Sequence, residues 1–371
     1  MNANLLLTGD KTTTLESIYE RAQVIHNRCE DVMLDFFSTA RVENDGAYGK
    51  LNFVAPFSSD AYTKDADGNV AVLGLPVSAK LTPWSFKQLC GARLGVPHVF
   101  MKKCIDSKSL QKKALFERTV NTFISEYDRG VRVRLYKSED GPIVRGILTP
   151  TYSVFDTLDV LKTVKETLEK NTGINFHIKG HFVDETGLQL RFVSDEPLAV
   201  EGEEDDLYAG FIVSTGDVGN RKLSVRFFIW KQICTNGLVA AKGIGDMLNK
   251  HHRGSFDSDL RDSLAQTIAM LPEFAANATE VIKASKGKQL SYDEVTALLG
   301  SFEKNVKLTE AEKEKIISLS FDRYGSGAKT SRWGFINALT EFAQEERFDV
   351  DDRTDIEEYA GVLLFRGAHA A

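Results

Sequence analysis

The feature that most constrains this chain is a stretch near its middle, residues 208–240, that reads as two strands joined by a turn. Residues 208–213 are short, apolar and β-prone, and residues 214–220 are dense in turn-forming residues. From residue 221 to 230 the side chains should alternate between the two faces of a strand. One face is apolar, whereas the other is basic and aromatic together, which is unusual for a solvent-facing strand. The stretch continues into Asn236-Gly237, a pair that predicts a turn.

A basic and aromatic face also occurs on an earlier predicted strand, residues 131–136. Binding of single-stranded nucleic acid requires this mixture, because cations follow the phosphates and aromatic rings stack on the bases. The alternative is that helices cover this face, in which case the aromatic residues are core and Arg226 is a buried, paired arginine. The candidate nucleic-acid-binding residues are Arg132, Arg134, Tyr136, Arg145, Lys222, Arg226, Phe228, Trp230 and Lys231.

The remaining pattern predicts an α+β fold, in which an antiparallel sheet between residues 131 and 233 is flanked by helices and followed by a mostly helical region. Helical spacing continues from Leu15 to Phe36 after a predicted cap at Thr13, and Thr82-Pro83 begins a second helix. Strand signals stop after residue 240. We divide the chain into an N-terminal helical and hairpin region (1–106), an α+β sheet core (107–240) and a helical C-terminal region (241–371).

Composition limits the function. A net charge of −7 over 371 residues argues against a protein that coats nucleic acid by bulk charge, although it allows a local basic groove. No apolar run is long enough to cross a bilayer, no signal peptide is recognisable, and the four cysteines lack metal-ligand spacing. We therefore expect a cytoplasmic protein with no cofactor, no metal site and no membrane partner.

Familiar catalytic motifs are missing, since the sequence contains no G-x-S-x-G, no P-loop and no Rossmann fingerprint. Cys234, with two histidines downstream, could be a nucleophile, but a buried cysteine at the end of an apolar strand is the better interpretation. Asp184 with Gln189 and Arg191 matches a restriction-type nuclease core only loosely, and the expected lysine is missing. A binding protein is therefore favoured over an enzyme, and a metal-dependent nucleic-acid enzyme stays open.

Three separated motifs resemble a bacterial family found in phage- and plasmid-borne proteins, known as domain of unknown function 932. The first comprises STGDVG, the basic and aromatic strand, and CTNGL; the second is FKQLCGARLGVP; the third is SRWGFINALTEFAQ. Many family members have a serine-glutamate pair where this chain reads STGDVG, so a role for that acid would fall to Asp217. The residues that carry the first and third motifs are Ser214, Asp217, Gly219, Cys234, Asn236, Gly237, Trp333, Asn337 and Glu341.

The third motif places polar residues along one side of a predicted helix. Trp333, Asn337 and Glu341 are four residues apart and therefore share a helical face. A buried Asn-Glu face could be a binding site, but a structural hydrogen-bond network is the better interpretation.

The resemblance implies a mobile-element context, in which DNA recombination, single-strand annealing and anti-restriction proteins are common. The first hypothesis is an oligomeric, non-enzymatic protein that binds or anneals single-stranded DNA. The second is a metal-dependent nucleic-acid enzyme. The third is an inhibitor or decoy that acts on a host defence enzyme. This hypothesis is based on the acidic composition of the chain.

Overall fold

The structure is a computed structural model that describes residues 14–58, 60–66, 70–170, 175–200, 206–231, 236–239, 248–250, 258–302, 308–345, 347–348 and 350–366. Its helices are α1 (Leu15–Asn27), α2 (Pro83–Lys87), α3 (His98–Ile105), α4 (Leu110–Ser125), α5 (Thr157–Lys170), α6 (Ser258–Ala269), α7 (Leu271–Gly287), α8 (Tyr292–Phe302), α9 (Glu310–Ser318), α10 (Arg332–Phe342) and α11 (Val350–Arg366). Helix α2 continues directly into a π-helical segment, Gln88–Arg93.

The strands are β1 (Cys29–Leu34), β2 (Arg41–Glu43), β3 (Lys50–Pro56), β4 (Tyr62–Lys64), β5 (Val70–Val72), β6 (Gly74–Leu81), β7 (Val131–Ser138), β8 (Gly141–Leu148), β9 (Phe176–Asp184), β10 (Gly187–Pro197), β11 (Leu207–Gly216), β12 (Leu223–Lys231), β13 (Asn236–Val239), β14 (Leu248–Lys250), β15 (Gln289–Leu290), β16 (Gly325–Ser326) and β17 (Lys329–Ser331). Most strand pairs are antiparallel, and helices dominate the C-terminal part. The predicted α+β class is therefore confirmed.

The strands form two principal sheets, each with its own apolar core. The first sheet has the order β1-β7-β8-β6-β3-β2, in which β6 and β8 run parallel. Its core joins strand residues such as Leu34 and Val133 to Phe116 of α4. The second sheet has the order β13-β12-β11-β10-β9, with β14 also paired to β12. Its larger core joins Phe227 to residues such as Phe335 of the C-terminal helices.

The expectation of one sheet between residues 131 and 233 is wrong, because β7 and β8 belong to the first sheet. In that sheet β7 pairs with β1, in a register that sets Val32 opposite Val133. We expected β1 to be helical, but α1 ends at Asn27. Cys29, Val32 and Phe36 have helical spacing, whereas the buried pair Val32 and Leu34 has the two-residue period of a strand. Pairing with β7 stabilises the strand conformation of these residues rather than the helical one.

Three smaller expectations also need correction. Asn236 and Gly237 lie in strand β13 rather than in a turn, and Gly237 is paired with Trp230. Short strands do occur after residue 240, in β14 to β17. Thr13 lies outside the described residues, and the side chain that caps α1 is Thr14, which accepts a hydrogen bond from Ser17 N. The domain boundaries stay a prediction, although the first sheet draws strands from both sides of residue 106.

The face of β12 that we expected to be basic and aromatic is largely covered. Phe228 and Trp230 are only 1% and 8% exposed and form an apolar cluster with Val193 and Ile212. Arg226 on the same face forms an ion pair with Glu358 of α11. The arrangement therefore matches the alternative considered above, in which the aromatic residues are core and the arginine is paired.

Replacing Trp230 by alanine tests this burial. The change removes a large side chain from a closed cluster, so we expect the free energy of unfolding to fall by about 3–5 kcal/mol. The matched control is Phe57→Ala, because that side chain is 70% exposed, and its effect should stay within about 0.5 kcal/mol. Urea denaturation measures both. A Trp230→Ala protein as stable as the parent would mean that the ring is available to a ligand after all.

Candidate nucleic-acid interface

The turn that joins β11 to β12, residues 216–219, is fixed by side chains from outside its own sheet. The Asp217 carboxylate accepts hydrogen bonds through Oδ1 from the N–H and the hydroxyl of Thr157, at 2.8 and 2.9 Å. Its Oδ2 lies 3.4 Å from Nη1 of Arg145. Thr157 is the first residue of α5 and Arg145 belongs to β8, so this one carboxylate joins the turn to both.

The backbone carbonyls of the 216–219 turn are fastened in the same way. Tyr152 donates its hydroxyl to Gly216 O at 3.0 Å. Trp84 Nε1 and Gln88 Nε2 both donate to Val218 O, at 3.0 and 2.8 Å. Because these donors belong to α2, its π-helical extension and the loop after β8, a turn of the second sheet is anchored on elements that pack against or follow the first sheet.

Beneath the turn lies a buried pair, Arg134 and Asp156. The guanidinium donates to both carboxylate oxygens, at 2.7 and 2.8 Å, in the two-pronged geometry that suits arginine and carboxylate. Arg134 also donates through Nε to Asp31 at 2.8 Å and through Nη1 to Asp217 O. Burial by itself would raise the pKa of Asp156, but the hydrogen bonds and charge of Arg134 hold that pKa below its usual value. The pair is therefore ionised and well satisfied.

Asp217 behaves differently from Asp156, although the two carboxylates are neighbours. Burial, reinforced by the negative charge of Asp156, raises the pKa of Asp217 to about 6, and the positive charges of Arg145 and Arg134 offset only part of this. Arg145 itself is buried and donates to Glu185 O at 2.8 Å. Two carboxylates in one buried cluster thus differ in pKa because only Asp156 has an arginine bound to both of its oxygens.

Two glycines explain why the turn can approach so closely. A Cβ on Gly146 of β8 would lie 3.0 Å from Val218 Cβ and 3.4 Å from Gln88 Oε1, so a side chain here would push the turn away. Gly219 has φ +73°, a backbone conformation that favours glycine. The turn sequence of the first motif is therefore required by close packing and by backbone geometry.

The anchored turn forms one wall of a cleft of about 930 Å³. The other walls come from α2 and its π-helical extension, from the start of α3, and from the loop after β8. Of the described residues that line the cleft, none is Asp or Glu, although the whole chain carries a net charge of −7. The cations and histidine in the lining are Lys87, Arg93, His98, Arg221 and Lys222, and its aromatic residues are Trp84 and Tyr152.

Two arginine donors in this lining have nothing to bind within the described part of the chain. Arg93 Nε and Arg221 Nη1 are buried and make no hydrogen bond there. The Arg221 guanidinium rests over the Phe182 ring, 5.0 Å from its centre, which holds its direction without using its donors. Buried guanidinium donors normally have acceptors, so these two atoms are exceptions among the described residues of the cleft.

The match to known proteins comes from a family model. The model described as domain of unknown function (DUF932) matches residues 145–362, which is more than half of the chain. The chain belongs to this family. No curated protein and no solved structure matches it. The FKQLCGARLGVP motif, which contributes Lys87 and Arg93 to the cleft, lies outside the matched residues.

The DUF932 motif residues have separate structural roles. Gly219 lines the cleft, Asp217 fixes the turn, and the Ser214 hydroxyl lies 2.8 Å from that of Ser224. Trp333 and Asn337 line a second, smaller cavity, whereas Glu341 accepts hydrogen bonds from Arg323 and Tyr324. Asn236 and Gly237 form the edge strand described above, and Cys234 lies outside the described residues.

The nine residues that we proposed for nucleic-acid binding do not form one surface. Arg134 and Arg145 are buried in the ion-pair cluster, and Arg132 lies 3.2 Å from Asp31. Arg226, Phe228 and Trp230 are covered as described above, and Tyr136 of β7 is half-buried. Only Lys222 lines the large cleft, and only Lys231 lines the smaller cavity. A binding role for the set stays a prediction, but the structure does not bring its members together.

Sequence reasoning missed Trp84, Lys87, Arg93, His98 and Arg221 as one site. Residues 84–98 and 221 are far apart in the chain, and no local period connects them. The only available signal was that two of the three family-like motifs, 86–97 and 214–219, contain or border these residues.

The described residues provide two further observations. Within them, no group of three or more His, Cys, Asp or Glu side chains is arranged to hold a metal ion. None of the helices described is both long and apolar enough to cross a membrane.

The raised pKa of Asp217 predicts a specific pH dependence of stability. Folding favours the protonated Asp217 carboxyl group. Its contribution to the free energy of unfolding is therefore fully present below the ordinary pKa of about 4, and it is lost as the pH rises through about 6. Relative to Asp217→Asn, whose amide oxygen can still accept from Thr157, the parent should lose up to roughly 3 kcal/mol of unfolding free energy across that window.

Urea denaturation of both proteins from about pH 3 to about pH 7.5 gives this difference directly. Other titrating groups cancel because they are common to both proteins. A difference that stays constant across the window would contradict the raised pKa.

Proposed function

We propose that the protein binds single-stranded nucleic acid in the cleft between the 216–219 turn and α2. The observation that carries the proposal is the composition of the lining: four basic side chains and a histidine, two aromatic rings and no carboxylate among the described residues. This is the combination that binds single strands, since cations neutralise phosphates and aromatic rings stack on bases.

The charge distribution supports this proposal. In a chain of net charge −7, a concave site lined by cations attracts anions locally, because low-dielectric walls concentrate the field. Lys87 and Lys222 are both exposed at the cleft. An anionic polymer could therefore reach both ammonium groups, and no ion pair of either lysine is found among the described residues.

Trp84 gives the site its stacking surface. Its indole N–H is held by Val218 O, which fixes the ring plane, and the Lys87 ammonium lies 5.2 Å from the ring centre. A ring that is oriented before binding loses little conformational entropy when a base stacks on it. Stacking of this kind contributes about 1–3 kcal/mol per base.

The family context fits such an activity. The resemblance to phage- and plasmid-borne proteins supports a role in annealing or recombination of single strands by an oligomer in the bacterial cytoplasm. A metal-dependent nucleic-acid enzyme and an inhibitor of a host enzyme are the competing functions, and the same titration separates them.

Charge removal at the cleft is the test. We expect Lys87→Gln with Lys222→Gln to weaken binding of a fluorescein-labelled oligothymidylate, because two phosphate contacts are lost. The slope of log K against log salt should become shallower by about 0.7 for each contact. Fluorescence anisotropy at several salt concentrations measures both quantities.

Lys112→Gln on α4 is the matched control, because this lysine is exposed and lies outside the cleft lining. It should bind like the parent. Equal affinity and equal salt slope for all three proteins would contradict the cleft as the binding site. Magnesium-dependent cleavage of the oligonucleotide would favour the enzyme instead, and no binding by the parent would favour the inhibitor.

A further inference from the structure

Asp217 lies directly behind the wall of the cleft. Tyr152 donates to the backbone carbonyl of the residue before it, at 3.0 Å, whereas Trp84 and Gln88 donate to the carbonyl of the residue after it, at 3.0 and 2.8 Å. All three donors line the cleft, as does Gly219, two residues further along the chain. Two residues span at most about 7 Å. A single turn of chain therefore separates the cleft from the Asp217 carboxyl group, which lies in the buried ion-pair cluster described above.

The counter-charge of Asp217 is weaker than that of Asp156, its neighbour in the cluster. Arg134 donates to both oxygens of Asp156, at 2.7 and 2.8 Å. Arg145 Nη1 donates to Glu185 O at 2.8 Å and lies 3.4 Å from Asp217 Oδ2, while Asp217 Oδ1 accepts the two hydrogen bonds from the start of α5. Of the two buried acids, Asp217 therefore holds a proton more readily. In agreement with this geometry, burial, followed by the charge of Asp156, raises the pKa of Asp217 to about 6.

Further titratable groups face the cluster from the elements packed against it, namely His26 of α1, Cys29 of β1, Tyr152 after β8, and Asp184 and Glu185 at the β9–β10 turn. Burial raises the pKa of Cys29 to about 11, and it raises the pKa of Tyr152 as well, so both groups stay uncharged near neutral pH. The others are unchanged in the variants compared below. A comparison with Asp217→Asn therefore isolates the titration of Asp217.

An anion in the cleft acts on the same proton through its charge. Lys87 and Lys222, which are exposed in the lining, attract anions to this position. Negative charge there disfavours the ionised Asp217 carboxylate, because like charges repel more strongly across protein than across water. Binding of an anion therefore raises the pKa of Asp217. Linkage then requires that a proton on Asp217 strengthens anion binding by the same factor.

We propose that the Asp217 carboxyl group takes up a proton from solvent when a single strand binds in the cleft, so that the strand binds more tightly at mildly acidic pH than at neutral pH. This inference rests on the proposed function of the cleft. Below about pH 6 the free protein already holds the proton, so the affinity is at its maximum there. The affinity falls as the pH rises above this value, and it levels off once the complex has also lost the proton.

Fluorescence anisotropy with a rhodamine-labelled oligothymidylate, at constant salt from about pH 5 to about pH 8, tests the coupling. We expect the affinity of the parent to fall about 5-fold more across this range than the affinity of Asp217→Asn, which cannot take up the proton. Asp293→Asn is the matched control, because it removes the same charge from an exposed position in the first turn of α8, outside the cleft lining. Its affinity should fall as much as that of the parent.

His98 also lines the cleft, and histidine side chains change charge in the same pH range. Calorimetric titration with the same oligonucleotide, at about pH 6.5 in buffers of different ionisation enthalpy, counts the protons taken up on binding. We expect His98→Gln to keep a proton uptake that is lost when Asp217→Asn is added to it.

Equal pH dependence in the parent and in Asp217→Asn would overturn the coupling while leaving the cleft as the binding site. If Asp217→Asn does not fold, the calorimetric result for His98→Gln decides alone. Absence of proton uptake in that variant would assign the proton to His98 and overturn the inference. Absence of oligothymidylate binding by the parent at every pH would instead contradict the proposed function, and the inference with it.

Discussion

The buried pair of Arg134 and Asp156 is the interaction on which the candidate site depends. It joins β7 of the first sheet to the residue that precedes α5, and the same guanidinium also binds the backbone of the 216–219 turn. Removing one partner of a buried ion pair destabilises a protein by roughly 3–5 kcal/mol, so both members of this pair are needed for the stability of the fold. The turn is then secured further by Thr157, Arg145, Tyr152, Trp84 and Gln88. Polar contacts thus fix the geometry where the two sheets meet, between separate apolar cores.

Local patterns predicted much of the fold. Thr82 with Pro83 does begin α2, as the sequence predicts. The alternating strands predicted over residues 131–136 and 221–230 are present as β7 and β12, since local alternation of apolar side chains is a strong signal. The assignment of strands to sheets could not be obtained in this way. Whether β7 pairs with a distant β1 is a long-range choice, and Val32 fits either a helical or a strand period.

The candidate site was less predictable than the fold for a related reason. A charged residue in a strand pattern reads the same whether it faces solvent or a buried partner, so the sequence could not show that Arg134 and Arg145 are buried in ion pairs. Conversely, Lys87 and Arg93 had no strand pattern to single them out. They become part of one basic cleft only because the turn brings Arg221 and Lys222 beside them. The family resemblance drew attention to the turn that lines the cleft, without supplying a role for it.

Hydrogen exchange measured by mass spectrometry, with and without a saturating single-stranded oligonucleotide, tests the central claim most directly. If the anchored turn and α2 form the binding cleft, peptides that cover residues 84–93, 149–152 and 219–222 should gain protection together. The centre of β12, residues 224–230, should not change, because that strand is already paired and its outer face is covered. Protection at residues 224–230 with no change at the cleft peptides would contradict the account and restore the sheet face as the binding surface.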